Sequence, residues 1–397
     1  MGRDGRQTDT RNRTADAGIV GVLDIGTAKI CCLIASRTNP QRLLGLGHQR
    51  ARGIKAGITL DRVHVSIAGG QMRSIHFAAN TAIAHAAADD GDIARLIDGA
   101  RHYAERDGRS LVHLNNIAYR LDGSPNLRDP RGMAGRVLTG DMHAVTAEDS
   151  VVRNLRLLIE RCYLAPESFV PSALASARAV STADELRTGV TVIDIGAGTT
   201  SIAVIADGHD LFVDSVPIGG SHLTFDIMNA LGTPHAEAER IKVLYGTMVE
   251  AASDERDVVT YPRLVQSEFE LYQTTRAQLR QLIKPRVESL LAQAMEKLVA
   301  GGMQAYGNSR IVLTGGTAQL MGLSMFAGRY LGLGVRVAAP QPLVGMASSS
   351  CSPAFATLVG LLAATANPAT LPVFEQRYTA AEPGYFGRMG QWLRESF

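Results

Sequence analysis

One short motif occurs twice, about 170 residues apart, and narrows the fold more than any other feature. In the first copy, Val22-Leu23-Asp24-Ile25-Gly26 ends a β-branched run, Thr27-Ala28-Lys29 turns, and Ile30 to Ala35 returns. In the second, Val192-Ile193-Asp194-Ile195-Gly196 leads into Ala197-Gly198-Thr199-Thr200, and Ser201 to Ala206 is the returning strand. Each copy reads as a β-hairpin with an acidic residue at the strand end. Copies so far apart are too distant for a solenoid and suit two related domains facing each other. A third apolar strand, Arg310 to Gly316, also runs into glycines.

A lone D-I-G-T is most simply a plain hairpin turn. Two such turns change the reading, because a turn free of bulky side chains presents backbone N–H groups that can cradle phosphates. Gly26, Thr27, Ala28 and Lys29 form one candidate cradle, and Gly196, Ala197, Gly198, Thr199 and Thr200 the other. Asp24 and Asp194 fit the organising of Mg²⁺ through water rather than direct phosphate contact. Gly315, Gly316 and Thr317 follow the third strand, where glycine lets the backbone approach an adenosine closely. Glu239 and Lys242 share one face of a helical pattern, either to meet the ribose or as a surface salt bridge.

Composition removes several alternatives. A hydrophobic fraction of 46% excludes wholesale disorder. Forty Lys and Arg against 38 Asp and Glu give a net charge of +2, which argues against a nucleic-acid surface driven by bulk charge. The four cysteines show no metal spacing, and a reducing compartment suits them. No apolar stretch approaches the ~20 residues of a membrane span. Amphipathic patterns cover 222–250 and 267–300, a helix is expected near 147–163, and 63–147 mixes strand and helix.

The two phosphate turns and the adenosine glycines, in this order, resemble the actin and sugar-kinase superfamily, and most closely the FtsA family. G-V-L-D-I-G-T-A-K (21–29), V-H-V-S-I-A-G (63–69) and D-P-R-G-M-A-G (129–135) match the family's first half. V-I-D-I-G-A-G-T-T-S-I-A-V (192–204), V-P-I-G-G-S-H-L-T-F-D-I (216–227), A-E-R-I-K-V-L-Y-G (238–246) and V-L-T-G-G-T-A-Q-L (312–320) continue it. The resemblance implies an α/β, actin-like two-lobed fold with duplicated ribonuclease-H-like domains, an inserted SHS2-type subdomain and a C-terminal amphipathic helix. It divides the chain into a disordered leader (1–18), subdomain 1A (19–73, 148–185 and a helix at 346–366), 1C (74–147), 2A (186–222 and 308–345) and 2B (223–307). A linker (367–384) and a membrane-targeting helix (385–397) complete it.

Three departures from the family pattern stand out. G-A-G replaces three glycines at 196–198. The family's long helix between the G-I-K-x-G element and the V-x-V-S-I strand has no counterpart in the sequence at 51–62, which would uncover part of the first sheet unless another element covers it. Residues 169–176 hold no carboxylate or amide to position an attacking water, so binding with weak or negligible hydrolysis is expected.

The last stretch carries Phe386, Met389, Leu393 and Phe397 on one helical stripe with Trp392 at its edge, opposite Arg388 and Arg394. Such a helix lies either in a lipid headgroup region or against the protein's own core. By resemblance, the chain binds ATP and Mg²⁺, self-associates into a homopolymer, and meets anionic membrane lipids. It would then tether FtsZ through that protein's C-terminal peptide and recruit downstream divisome membrane proteins, at the division site on the cytoplasmic side of the inner membrane. Arg276, Arg280, Lys284 and Arg286 fit an acidic peptide or, equally, a solvated helix face. The rival readings are a pilus-assembly relative and a small-molecule kinase of the same superfamily, which would need an Asp general base.

Overall fold

A computed structural model describes residues 18–366 apart from 38–40, 50–59, 70, 125–126, 266–267, 308–309 and 348–349. The leader up to residue 17, the linker, the apolar tail stripe and residues 51–59 of the apparent helix loss lie outside the described residues.

The apolar runs around Gly26 pair as expected. β1 (Ile19–Ile25) and β2 (Ile30–Ser36) are antiparallel in register from Ile19↔Ser36 to Ile25↔Ile30. β3 (Leu43–Gln49) and β4 (Arg62–Ile67) follow. An inserted unit then contributes β5 (Arg73–Ala82), α1 (Asp90–Ala104), β6 (Arg109–Leu121) and β7 (Val137–Glu148). Helix α1 starts where it does because Asp89 and Asp92 form a reciprocal capping box. Next come α2 (Asp149–Glu160), β8 (Ala165–Pro171), α3 (Ser172–Val180) and α4 (Ala183–Thr188).

The second hairpin is β9 (Val190–Ile195) with β10 (Thr200–Ala206), followed by β11 (His209–Val216), α5 (Gly220–Leu231) and α6 (His235–Tyr245). Gly232, in the left-handed region at φ 64°, ends α5, so the 222–250 pattern is two helices. The 267–300 pattern also divides. Glu268 to Thr275 is strand β13, paired with β12 (Val258–Val265), and only then does α7 (Arg276–Ala300) begin. The Thr274-Thr275 pair suits a strand end, and Thr275 caps α7 in a box with Gln278. α8 (Gln304–Gly307), β14 (Ile311–Thr314), α9 (Leu323–Leu331), β15 (Val335–Val337) and α10 (Ala356–Ala366) complete the order.

The duplication is visible in the sheets. Sheet I runs β3-β2-β1-β4-β8 and sheet II runs β11-β10-β9-β14-β15. In both, three antiparallel strands are followed by two parallel ones. The inserted unit is a separate sheet, β5-β7-β6, carrying α1. This is an actin-like, mixed α/β fold with an SHS2 domain.

Two helices lie between the sheets. α10 packs on β1, β2 and β4, and α3 packs on β9 and β10 while crossing α10. Both are rich in small side chains, and Gly360 is the tightest point: a Cβ there would overlap the Ala175 carbonyl. Leu358, Leu361 and Leu362 of α10 are buried with Val20, Val22 and Leu33 of sheet I, each fully buried side chain contributing roughly 1.5–3 kcal/mol. On the far face of sheet II, α5, α6, α7 and α9 enclose a second core that includes Ile193, Leu223, Ile241 and Leu290.

Candidate functional site

Both D-I-G turns close in the same way. Gly26 N–H donates to the Lys29 carbonyl and Gly196 N–H to the Thr199 carbonyl, each at 3.0 Å. The sheets carry these turns to one place: a Cβ on Gly198 would fall 2.6 Å from Thr27 Oγ1. Gly26, Thr27 and Ala28 are exposed, while Ala197, Gly198 and Thr199 are partly covered. Thr200 differs from the expectation. It is buried, and its hydroxyl donates to the Ile218 carbonyl at 2.7 Å, so it supports the turn instead of facing a ligand.

The two aspartates stand at the strand ends, each held by hydroxyls. Ser66 Oγ donates to Asp24 at 2.5 Å. Ser176 Oγ donates to Asp194 at 2.5 Å and Thr357 Oγ1 donates to the same oxygen at 3.1 Å. Burial pushes both carboxyls above their usual range; the hydroxyl bonds and Lys29 oppose this, while the charge of Asp24 adds to the rise at Asp194. Two desolvated carboxylates, the charge of one raising the other, fit a divalent cation nearby. Among the described residues no group of three His, Cys, Asp or Glu is set to hold a metal by itself. An ion here would therefore come with phosphates, as Mg²⁺ usually does.

The remaining candidates surround the second turn. Gly220 N–H and Ser221 N–H donate to the Gly196 and Ala197 carbonyls at 2.9 and 2.8 Å, seating the start of α5 on the turn. Thr317 Oγ1 donates to the Gly196 carbonyl at 3.0 Å. Gly315, at φ 89°, passes so close to Asp194 that a Cβ would overlap its carboxylate, a position only glycine fills without strain. Glu239 and Lys242 do pair, at 2.6 Å, but not as a surface bridge: Lys242 Nζ also donates to the Gly220 carbonyl and Thr224 Oγ1. Burial would raise the Glu239 carboxyl; the bonds from Lys242 and Thr224 outweigh it and hold it low. Lys29 Nζ donates to the Ala354 carbonyl and lies 4.1 Å from the centre of the Phe355 ring. The sequence reading missed Ser66, Ser176, Thr224, Gly220 and the 353–357 segment, although V-H-V-S-I and P-I-G-G-S carried a signal for two of them.

The basic residues of α7 do not form one patch. Arg286 is bidentate to Asp226 at 2.8 Å, and Arg280 is paired with buried Asp254. Arg276 faces Asp257 at 3.7 Å and Lys284 faces Glu288 at 3.9 Å. Beside Arg286 an open groove of about 610 Å³ runs between α5 and α7, lined by Asp226, Asn229, Leu282 and Pro285 among others. No described helix is long and apolar enough to cross a membrane.

Residues 191–360 match the family model for the cell division protein FtsA, and residues 69–146 match that for the SHS2 domain inserted in FtsA. Cell division protein FtsA of Rhizobium meliloti is 32% identical over 419 aligned positions, covering 96% of this chain and 95% of the relative. That alignment is longer than this chain's 397 residues, so the relative holds residues that this chain lacks. The FtsA of Escherichia coli K12 is 28% identical, over 97% of this chain and all of the relative. Among solved structures, a chain of the PilM-PilN type IV pilus biogenesis complex is similar in fold, with a TM-score of 0.60 at 18% identity over 89% of this chain and 99% of that one. With the duplicated sheets, the inserted domain and near full-length relatives in agreement, this chain belongs to the FtsA family of cell division proteins.

Proposed function

We propose that the chain binds ATP with Mg²⁺ between the two D-I-G turns and serves as a membrane-attached, self-associating tether for FtsZ at the division site. The observation that carries the nucleotide reading is convergence. Turns from both halves of the duplication, the start of α5 with Glu239 and Lys242, and the Gly315–Thr317 segment all meet at the Asp194 end of sheet II. Gly26 to Lys29 and Gly196 to Thr199 would hold the phosphates, Asp24 and Asp194 would orient the cation, and Glu239, Lys242, Gly315, Gly316 and Thr317 would meet the adenosine. Bound Mg²⁺ would neutralise phosphate charge. The protein's own part is to position the turns and to hold each aspartate with hydroxyl donors.

Turnover should be weak. The stretch 169–176 supplies Ser172 and Ser176, with no carboxylate or amide to orient water; Ser176 is occupied with Asp194. The tail stripe of Phe386, Met389, Trp392, Leu393 and Phe397 would bind anionic lipid, each large side chain adding about 1–2 kcal/mol when partly buried. Several tails on one polymer would bind much more tightly through effective concentration. The α5–α7 groove, with Arg286 at its wall and Lys284 exposed on the same helix, is the place an acidic FtsZ peptide would fit. Recruitment of downstream divisome membrane proteins belongs to the same reading.

The test is saturable binding of a fluorescent ATP analogue with Mg²⁺ that is lost in Asp24→Ala and Gly316→Trp variants. Absence of binding in folded wild-type protein would overturn the nucleotide reading. Equal co-sedimentation with anionic liposomes by the full chain and by a form ending at Pro383 would overturn the lipid reading.

A further inference from the structure

The two strand-end aspartates are pseudo-equivalent, but they are not held equivalently. Asp24 is held within its own lobe, by Ser66 of β4, a neighbouring strand of sheet I. Asp194 belongs to sheet II, and its hydroxyl donors come from the two helices between the sheets, one of which, α10, packs on sheet I. Ser176 lies on α3, directly after β8, and Thr357 is the second residue of α10, which packs on β1 and β2. Ser176 and Thr357 also touch each other at 2.8 Å, so the two hydroxyls and one carboxylate oxygen form a closed triangle between the lobes.

We propose that Thr357, with Ser176, is a positioning residue that fixes the Asp194 carboxylate for a nucleotide-borne divalent cation and so ties α10 to the state of the cleft. This inference rests on the nucleotide reading above. A carboxylate that orients a cation's waters must present one oxygen at a fixed angle. Here two donors hold Oδ2, which leaves Oδ1, the atom beside Gly315, for the cleft. The same segment supplies the Ala354 carbonyl and Phe355 ring that hold Lys29. Five consecutive residues, Pro353 to Thr357, thus meet Gly315, Lys29 and Asp194, and then continue as α10.

Thr357→Val keeps the side chain's shape while removing the hydroxyl. In the full-length chain, titration of a fluorescent ATP analogue against Mg²⁺ should show half-maximal metal dependence shifted upward roughly 10- to 100-fold, the effect of one lost bond to a charged group. Binding in EDTA should be unchanged, and Thr357→Ser should restore the wild-type curve. Hydrogen exchange gives a second readout: Mg²⁺ with nucleotide should slow amide exchange over residues 357–361 in wild type and not in Thr357→Val. If Thr357→Val fails to fold, Ser176→Ala removes the other donor, and the same Mg²⁺ shift is expected of it. Unchanged Mg²⁺ dependence in a folded variant overturns the proposal. So does weakening of equal size in EDTA and Mg²⁺, which would make Thr357 a general support of the cleft. Wild type that binds nucleotide equally with and without Mg²⁺ overturns the proposal but not the nucleotide reading; wild type that binds no nucleotide overturns both.

Discussion

Acid should loosen the junction between the inserted SHS2 domain and the second lobe, and His143 sets the pH at which this begins. His143 is fully buried on β7, stacked on His76 with ring centres 4.9 Å apart, and His113 lies 6.3 Å away. Its Nε2 meets Ser74 Oγ at 2.9 Å, and Ser74 in turn bonds the Val213 backbone of β11 at 2.7 and 2.9 Å. Burial, then the neighbouring His113 and His76, push its pKa down to about 3 from 6.5. A base whose folded pKa is depressed stays neutral in the native state while the unfolded chain takes up a proton, so stability falls as pH drops below 6.5. Each pH unit below that point removes about 1.4 kcal/mol, or about 2 kcal/mol by pH 5. Asp210, paired with Arg178 at 2.7 Å, adds to the loss only at more acid pH. Burial would raise its pKa, but His113 and Arg178 outweigh this and hold it low. The assay is urea unfolding followed by circular dichroism at pH 5, 6, 7 and 8, for wild type and His143→Gln. The variant should start less stable at pH 8 and lose about 2 kcal/mol less than wild type on going to pH 5. Parallel pH profiles for the two proteins would refute the reasoning.

Two further substitutions test the packing and the basic helix. Gly360→Val should cost at least about 1–3 kcal/mol because the new side chain meets the backbone of α3, whereas Ala363→Val, on the exposed side of α10, should cost less than about 1 kcal/mol; thermal melts of both decide it. Arg280→Ala should lower the unfolding midpoint by leaving buried Asp254 without its partner, while Lys284→Ala, whose partner is 3.9 Å away on an open face, should leave it within about 0.5 kcal/mol. A reversed order of the two effects would show that Arg280 is free for a partner.

The duplicated hairpins were legible in the sequence because alternation and turn chemistry act over a few residues. Sheet order was not. β1 pairs with β4 across β2 and β3, and β4 pairs with β8 across the whole inserted domain, and no local pattern encodes either pairing. The amphipathic pattern over 267–300 hides a strand because β13 runs without a break into α7. At the site, Asp24, Asp194 and the glycines were legible as residue types in a repeated frame. Their hydroxyl donors were not, since Ser66 lies 42 residues from Asp24 and Thr357 lies 163 from Asp194. On α7 spacing groups Arg276, Arg280 and Lys284 and already places Glu288 one turn beyond Lys284, whereas only the fold supplies Asp257 and Asp254 to the two arginines.

The contacts between the lobes are of two physical kinds, and they respond differently to motion. Between the sheets, α3 presents Ala173, Leu174 and Ala177 to an apolar layer that includes Val192, Ala203 and Val312. Apolar contact is non-directional, so a small rotation costs little as long as the surfaces stay covered. Hydrogen bonds are not tolerant in this way, and a shift of half an ångström to one ångström takes a 2.5–3.1 Å bond out of range. The hydroxyl bonds to Asp194 therefore register a change in lobe angle that the core absorbs. Since those bonds end on a carboxylate expected to orient the cation, lobe angle and metal geometry are read at the same atom. Any ligand that sets one must bias the other.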